Sequence, residues 1–124
     1  MTAAPSLREL TQLAQQAGYE VIAASQLRPN RWLLTLGAGA GAPMLALVQA
    51  RRLVTAADVQ DLAELVRLRR VARGLLLAYG GSFSPAAQRT LAELSDNRLV
   101  LCTTLPLAPT SDVPRQGALW QPVP

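Results

Sequence analysis

Val48-Gln49-Ala50-Arg51-Arg52 closes an apolar run that begins at Met44, and a helix cap follows it at Thr55. Met44 to Ala50 reads as a strand, short and mostly apolar. Thr55-Ala56-Ala57-Asp58 resembles a capping box with Asp in place of Glu. Val59, Leu62, Ala63 and Val66 then recur on one helical face, with Leu65 alongside. Gly74 is expected to end that helix, and Leu75 to Tyr79 forms another apolar strand of the kind buried in a sheet covered on both faces. Strand, helix and strand in this order predict a crossover with parallel pairing.

Working outward, Ser6-Leu7-Arg8-Glu9 matches a capping box and opens a helix over 7–17, with Gly18 as its stop. Tyr19 to Ala24 reads as a first strand, Ser25 to Asn30 as a turn and Trp32 to Leu36 as a second strand. The glycine-alanine link over 37–43 joins that strand to the one ending at Gln49, giving a hairpin. A strand follows these glycines rather than a helix, and no Lys-Ser/Thr pair closes them, so they do not make a phosphate loop. Further on, Gly80-Gly81 turns the chain. Ser84-Pro85 caps a helix running to about Leu94, and Arg98 to Cys102 is a last strand. The predicted order is αβββαβαβ: an α/β fold with a mixed sheet of about five strands flanked by helices. Residues 1–104 form its domain. Residues 105–124, which hold five prolines, form an extended tail where only Trp120 is a candidate to dock.

The chain has 124 residues, and all twelve of its basic residues are arginines; lysine and histidine are absent. The side chains most often used for proton transfer near neutral pH are therefore missing, and a guanidinium stays charged. A compositional bias of the genome accounts equally well for the missing lysines. Without histidine there is no Ser-His-Asp triad. One cysteine and no histidine make no zinc site. Cys102 lies in an apolar run and reads as a small buried hydrophobe in a reducing compartment. The aromatics, five in all, are too few and too scattered for a single-strand stacking platform. No signal-peptide pattern or membrane-length apolar run is visible, so a cytoplasmic location is expected. A net charge of +4 admits a polyanion as partner without demanding one.

The element order, with Gly18-Tyr19-Glu20-Val21, Val48-Gln49-Ala50-Arg51-Arg52, Val54-Thr55, Asp58-Val59, Arg73-Gly74-Leu75-Leu76-Leu77, Gly80-Gly81 and Phe83-Ser84-Pro85-Ala86-Ala87, resembles the catalytic domain of Mrr-type restriction endonucleases, within the PD-(D/E)xK nucleases. The likeness covers about residues 6–103. It implies a restriction-endonuclease-like fold and a site built from three parts: an acid on the second strand, a Glu or Gln on the third, and a Lys two positions later. In that family the acid and a backbone carbonyl hold a divalent metal, and the lysine orients water. Here Gln49 matches the third-strand Gln and Arg51 stands in the lysine position. The second strand carries no acid, and Leu33 or Thr35 falls about where it would be.

No catalytic residue is therefore expected, and Gln49 and Arg51 are read as degenerate positions. Magnesium enters only if the site proves active through a migrated acid, for which Glu9 and Glu20 are the candidates; Glu9 is explained better as the capping partner of Ser6. Gln49, Arg51, Arg52 and Arg31 are the candidate nucleic-acid-binding residues, with Arg28 from the neighbouring turn. Arg51 is expected to face the old site and to need a counter-charge from Glu20, Glu9 or an anion. Arg67, Arg69, Arg70 and Arg73 could join Arg28 and Arg31 in a phosphate-contacting patch, but compensation of the helix dipole is the favoured reading. Asp61 and Glu64 read as a solvated helix face. The leading function is an inactive nuclease-like module that binds double-stranded DNA or helps an assembly. The alternative is a protein-interaction domain, either a homodimer or a complex with another protein.

Overall fold

A computed structural model describes residues 5–37 and 43–108. The elements are α1 (Leu7–Gln16), β1 (Glu20–Arg28), β2 (Arg31–Gly37), β3 (Met44–Gln49), β4 (Leu53–Val54), α2 (Ala56–Arg69), β5 (Arg73–Ala78), β6 (Ser82–Phe83), α3 (Pro85–Leu94) and β7 (Leu99–Cys102). The main sheet has the order β1-β2-β3-β5-β7. β1, β2 and β3 pair antiparallel; β5 joins β3 in parallel and β7 joins β5 in parallel. This is the mixed five-stranded α/β sheet that the sequence predicts.

Alternation along the strands sends side chains to two cores. Trp32, Leu34, Leu36, Ala46, Val48, Leu75 and Leu77 face α1, whose Leu10 and Ala14 are fully buried. Leu33, Leu45, Leu47, Leu76, Ala78 and Leu99 face Val59, Leu62 and Val66 of α2 and Ala87 of α3. β3 is buried along its whole length, as a strand covered on both faces must be.

Several boundaries differ from the sequence reading, each for a tertiary reason. β1 runs on through Ser25–Arg28, expected as a turn, because those residues pair with Arg31–Leu33 of β2. The turn shrinks to Pro29-Asn30, with Asn30 in the left-handed region at φ 67°. α2 does not wait for Gly74: Arg70 caps it at φ 53°. Gly74 instead lies within β5 beneath the helix, where a Cβ would sit 2.3 Å from Val66 Cγ2. The chain also stays packed past Thr104. Leu105 and Ala108 lie against the α1 core, and the Ala108 N–H donates to the Ala17 carbonyl at 2.8 Å. The rest of the expected tail, 109–124 with Trp120, and the link residues 38–42 lie outside the described residues.

A feature that no periodicity announced joins the loops beyond the C-terminal ends of β3 and β5. β4 and β6 pair in parallel, Leu53 with Ser82 and Val54 with Phe83. The Ser82 N–H donates to Arg52 O at 3.0 Å and the Ser84 N–H to Val54 O at 2.9 Å. Gly81 permits this approach: a Cβ there would lie 1.8 Å from Arg51 O. The obstacle is backbone, so relief requires moving the loop. Gly81→Ala is expected to destabilise by about 3 kcal/mol, at the upper end of overpacking costs. Chemical denaturation checks this, with Gly74→Ala, which meets a movable valine side chain, expected to cost less.

Candidate functional site

Gln49 is the last residue of β3, and its cross-strand neighbour on β2 is Arg31. Both share the sheet face of Leu33 and Leu47, so both point toward α2. Asp58 lies in the first turn of α2, three residues after the N-cap Thr55. These three side chains meet. Arg31 donates through Nε to Gln49 Oε1 at 2.9 Å, through Nη2 to Asp58 Oδ1 at 2.5 Å and through Nη1 to Asp61 Oδ2 at 2.9 Å. Gln49 Nε2 donates to Asp58 Oδ1 at 3.3 Å. Asp58 Oδ2 accepts from the Thr55 N–H at 2.9 Å, the capping contact, and from the Thr55 hydroxyl at 3.3 Å.

This is a desolvated network. Side-chain exposure is 13% for Arg31 and 3% for Asp58. Gln49 is equally buried, and only Asp61, half exposed, reaches solvent. Each buried polar group has a partner, as a buried charge requires. One carboxylate thus does two jobs: it caps α2 and it neutralises an arginine delivered by the hairpin.

The position across from Gln49 is therefore not Leu33 or Thr35. Leu33 pairs with Leu47 inside the α2 core, and Thr35 pairs with Leu45. It is Arg31, expected among the DNA-facing arginines but here turned inward with both Nη atoms and Nε engaged. Asp58 is the cap that the sequence predicts, and with Asp61, read as a solvated face, it also binds Arg31, which the sequence reading missed. The i, i+3 spacing of Asp58 and Asp61 behind the cap was the available signal; which arginine they would meet was not.

The other candidates fall elsewhere. Glu9 is the capping partner of Ser6, accepting from the Ser6 N–H at 2.8 Å on the opposite side of the sheet. Glu20 pairs with Gly37, six residues along β2 from Arg31 and about 20 Å away at ordinary strand rise. Neither acid has moved in beside Gln49. Arg51 lies past the end of β3 in an exposed loop, so neither is its counter-charge.

Arg28, Arg51 and Arg52 are exposed and form no ion pair with any described residue. They share one end of the sheet. Arg28 lies opposite Arg31 in the β1–β2 hairpin, and the Ala50 N–H donates to Asn30 O at 2.8 Å, tying that turn to the loop of Arg51 and Arg52. Arg67, Arg69, Arg70 and Arg73 gather at the opposite end, where Arg73 pairs with Met44 at the start of β3. Arg67 is bound to Glu64 there.

The network holds no lysine or histidine to carry a proton near neutral pH, and Arg31 binds both of its carboxylates. Cys102 adds no carrier: burial pushes its thiol up to about 11. Among the described residues no three His, Cys, Asp or Glu side chains gather in a metal-binding group. The magnesium that a nuclease of this kind implies does not fit the residues present. The carboxylate oxygens nearest to Gln49 are already bound by the Arg31 guanidinium.

No family model and no curated protein matches the chain. Among solved structures, EndoMS in apo form matches with a TM-score of 0.59 and 18% identity. The match covers 85% of this chain and 48% of that one, so this chain spans about half the length of its neighbour. The fold is thus restriction-endonuclease-like: a mixed sheet of five strands flanked by helices.

Removing one member of the buried pair strands the other charge. Asp58→Ala is expected to cost about 3–5 kcal/mol, the range for breaking a buried ion pair. Asp61→Ala, at the exposed end, is expected to cost less than about 1 kcal/mol. Urea unfolding followed by circular dichroism distinguishes the two.

Proposed function

We propose that this chain is a nuclease-like domain that binds duplex DNA without cutting it, alone or as part of an assembly. The observation that carries the reading is the placement of Arg28, Arg51 and Arg52. Three arginines with no carboxylate partner among the described residues stand together at the end of the sheet where β3 finishes, and the charged network is sealed beneath them. Free guanidinium groups on a surface favour phosphate, which they hold bidentately. The sealed network supports binding without hydrolysis, because Arg31 already holds the oxygens that a metal would need. Gln49 contributes by holding Arg31 rather than by touching DNA. The lone reduced-type cysteine and a DNA partner together favour the cytoplasm.

Fluorescence anisotropy with a short labelled duplex tests this reading. If the three arginines each neutralise one phosphate, affinity falls about 40-fold between 50 and 200 mM salt. Arg51→Ala is expected to lower the salt slope by about one, and the triple alanine variant to remove most of the binding. Magnesium leaves the DNA intact. Salt-insensitive binding, or binding unchanged in the triple variant, overturns the proposal.

A second reading rests on β1. It pairs only with β2, and no described residue covers its outer edge. Ile22 is 56% exposed and Leu27 45%. Pairing with a second copy about Ala24 sets Glu20 opposite Arg28 twice, and both irregularities in the strand lie outside Ala23–Gln26. An edge strand with opposite charges at its two ends is self-complementary, and a C2 dimer uses such a patch. Sedimentation equilibrium is expected to give a dimer, which Glu20→Arg dissociates by facing like charges and which the swap Glu20→Arg with Arg28→Glu restores. A monomer for the unaltered chain, or a dimer indifferent to Glu20→Arg, removes this reading.

A further inference from the structure

We propose that Arg31 is the resident cation of this site: its guanidinium occupies the oxygen ligands of a divalent metal and makes this end of the domain independent of metal. Gln49 Oε1, Asp58 Oδ1 and Asp61 Oδ2 come from two elements and converge on one guanidinium at 2.9, 2.5 and 2.9 Å. An amide oxygen and two carboxylates are hard ligands, of the class that takes calcium, magnesium or manganese. Their combined charge is that of two carboxylates, so one arginine leaves the group with a single net negative charge. A divalent ion would neutralise it fully.

Geometry makes the arginine hard to displace. Arg31 is fixed by cross-strand pairing with Gln49, so its stem enters along the sheet and not from solvent. Asp58 is held in turn by the Thr55 N–H, which leaves only Oδ1 for the cation. A metal arriving from outside would have to expel a buried, triply bonded guanidinium. The inference concerns metal alone and holds whether or not the outer arginines bind DNA.

Manganese provides the probe. Free Mn2+ is followed by electron paramagnetic resonance, and melting is followed with and without the ion, in the absence of DNA. The unaltered protein is expected to take up no stoichiometric Mn2+ and to melt at the same temperature with it. Arg31→Met keeps the apolar stem and removes the charge. It is expected to bind one Mn2+ with a Kd below about 1 mM, in the range of weaker oxygen sites, and to melt higher when the ion is present. Arg31→Met combined with Asp58→Asn is expected to lose both effects. The proposal is overturned if the unaltered protein binds one Mn2+ that Asp58→Asn abolishes, or if folded Arg31→Met binds none. Should Arg31→Met not fold, the Gln49 side-chain amide in the unaltered protein decides by NMR. No selective broadening by Mn2+ supports a site already filled, and selective broadening refutes it.

Discussion

The contact between Arg31 and Asp58 joins two parts of the chain that follow different rules. Arg31 belongs to an antiparallel hairpin, and Asp58 to the helix that carries the chain from β3 to β5. Hydrophobic packing sets the distance between the sheet and α2 through Leu33, Leu47, Val59 and Leu62. It does not set how far the helix slides along the strands, because apolar contact is not directional. A guanidinium shared among Gln49, Asp58 and Asp61 does, since its donors lie in one plane at fixed angles. The pair's net stabilising effect is small, because desolvating both charges offsets most of their attraction. Its consequence is positional: the N-terminus of α2 and the end of β3 are held in one register.

That register explains the loops beside it. Three residues separate β3 from β4, and three separate β5 from β6, so both loops are short. They stay close because Gly81 lets the chain pass against the carbonyls of Arg51 and Arg52. The backbone of Arg52 is thereby engaged while its side chain, and that of Arg51, remain outside. A rigid main chain carrying free arginines loses little entropy when those arginines meet a ligand. The same end of the sheet combines a sealed interior charge with an open exterior one, and the two have different chemistry for that reason.

Much of this was legible in the sequence. The capped helices, the buried run of β3 and β5 and the crossover order all follow from local periodicity and capping, because those features repeat within a turn or two of chain. Gln49 and Arg51 drew notice through a resemblance to a motif only three residues long. What was not legible depended on residues far apart. β1 was read as ending at Ala24, since Ser25-Gln26-Leu27-Arg28 has no strand-like apolar alternation of its own and becomes a strand only by pairing with β2. Gly74 looked like a helix stop and is a packing site against Val66. Arg31 was grouped with surface arginines because nothing at position 31 itself announces Asp58, 27 residues on.

The second strand shows how such a gap propagates. The resemblance put Leu33 or Thr35 about where a second-strand acid would be; pairing puts Arg31 across from Gln49. A shift of two keeps the face and changes the chemistry, so hydrophobic alternation cannot detect it. A leucine across from Gln49 would make an inert, filled pocket. An arginine there engages Asp58 and Asp61 as charged partners. An interior cation supplied by the chain needs no supply from solution, and it is present from the moment the hairpin and the helix dock. The buried network is thus a closed structural element that ties the hairpin to the helix.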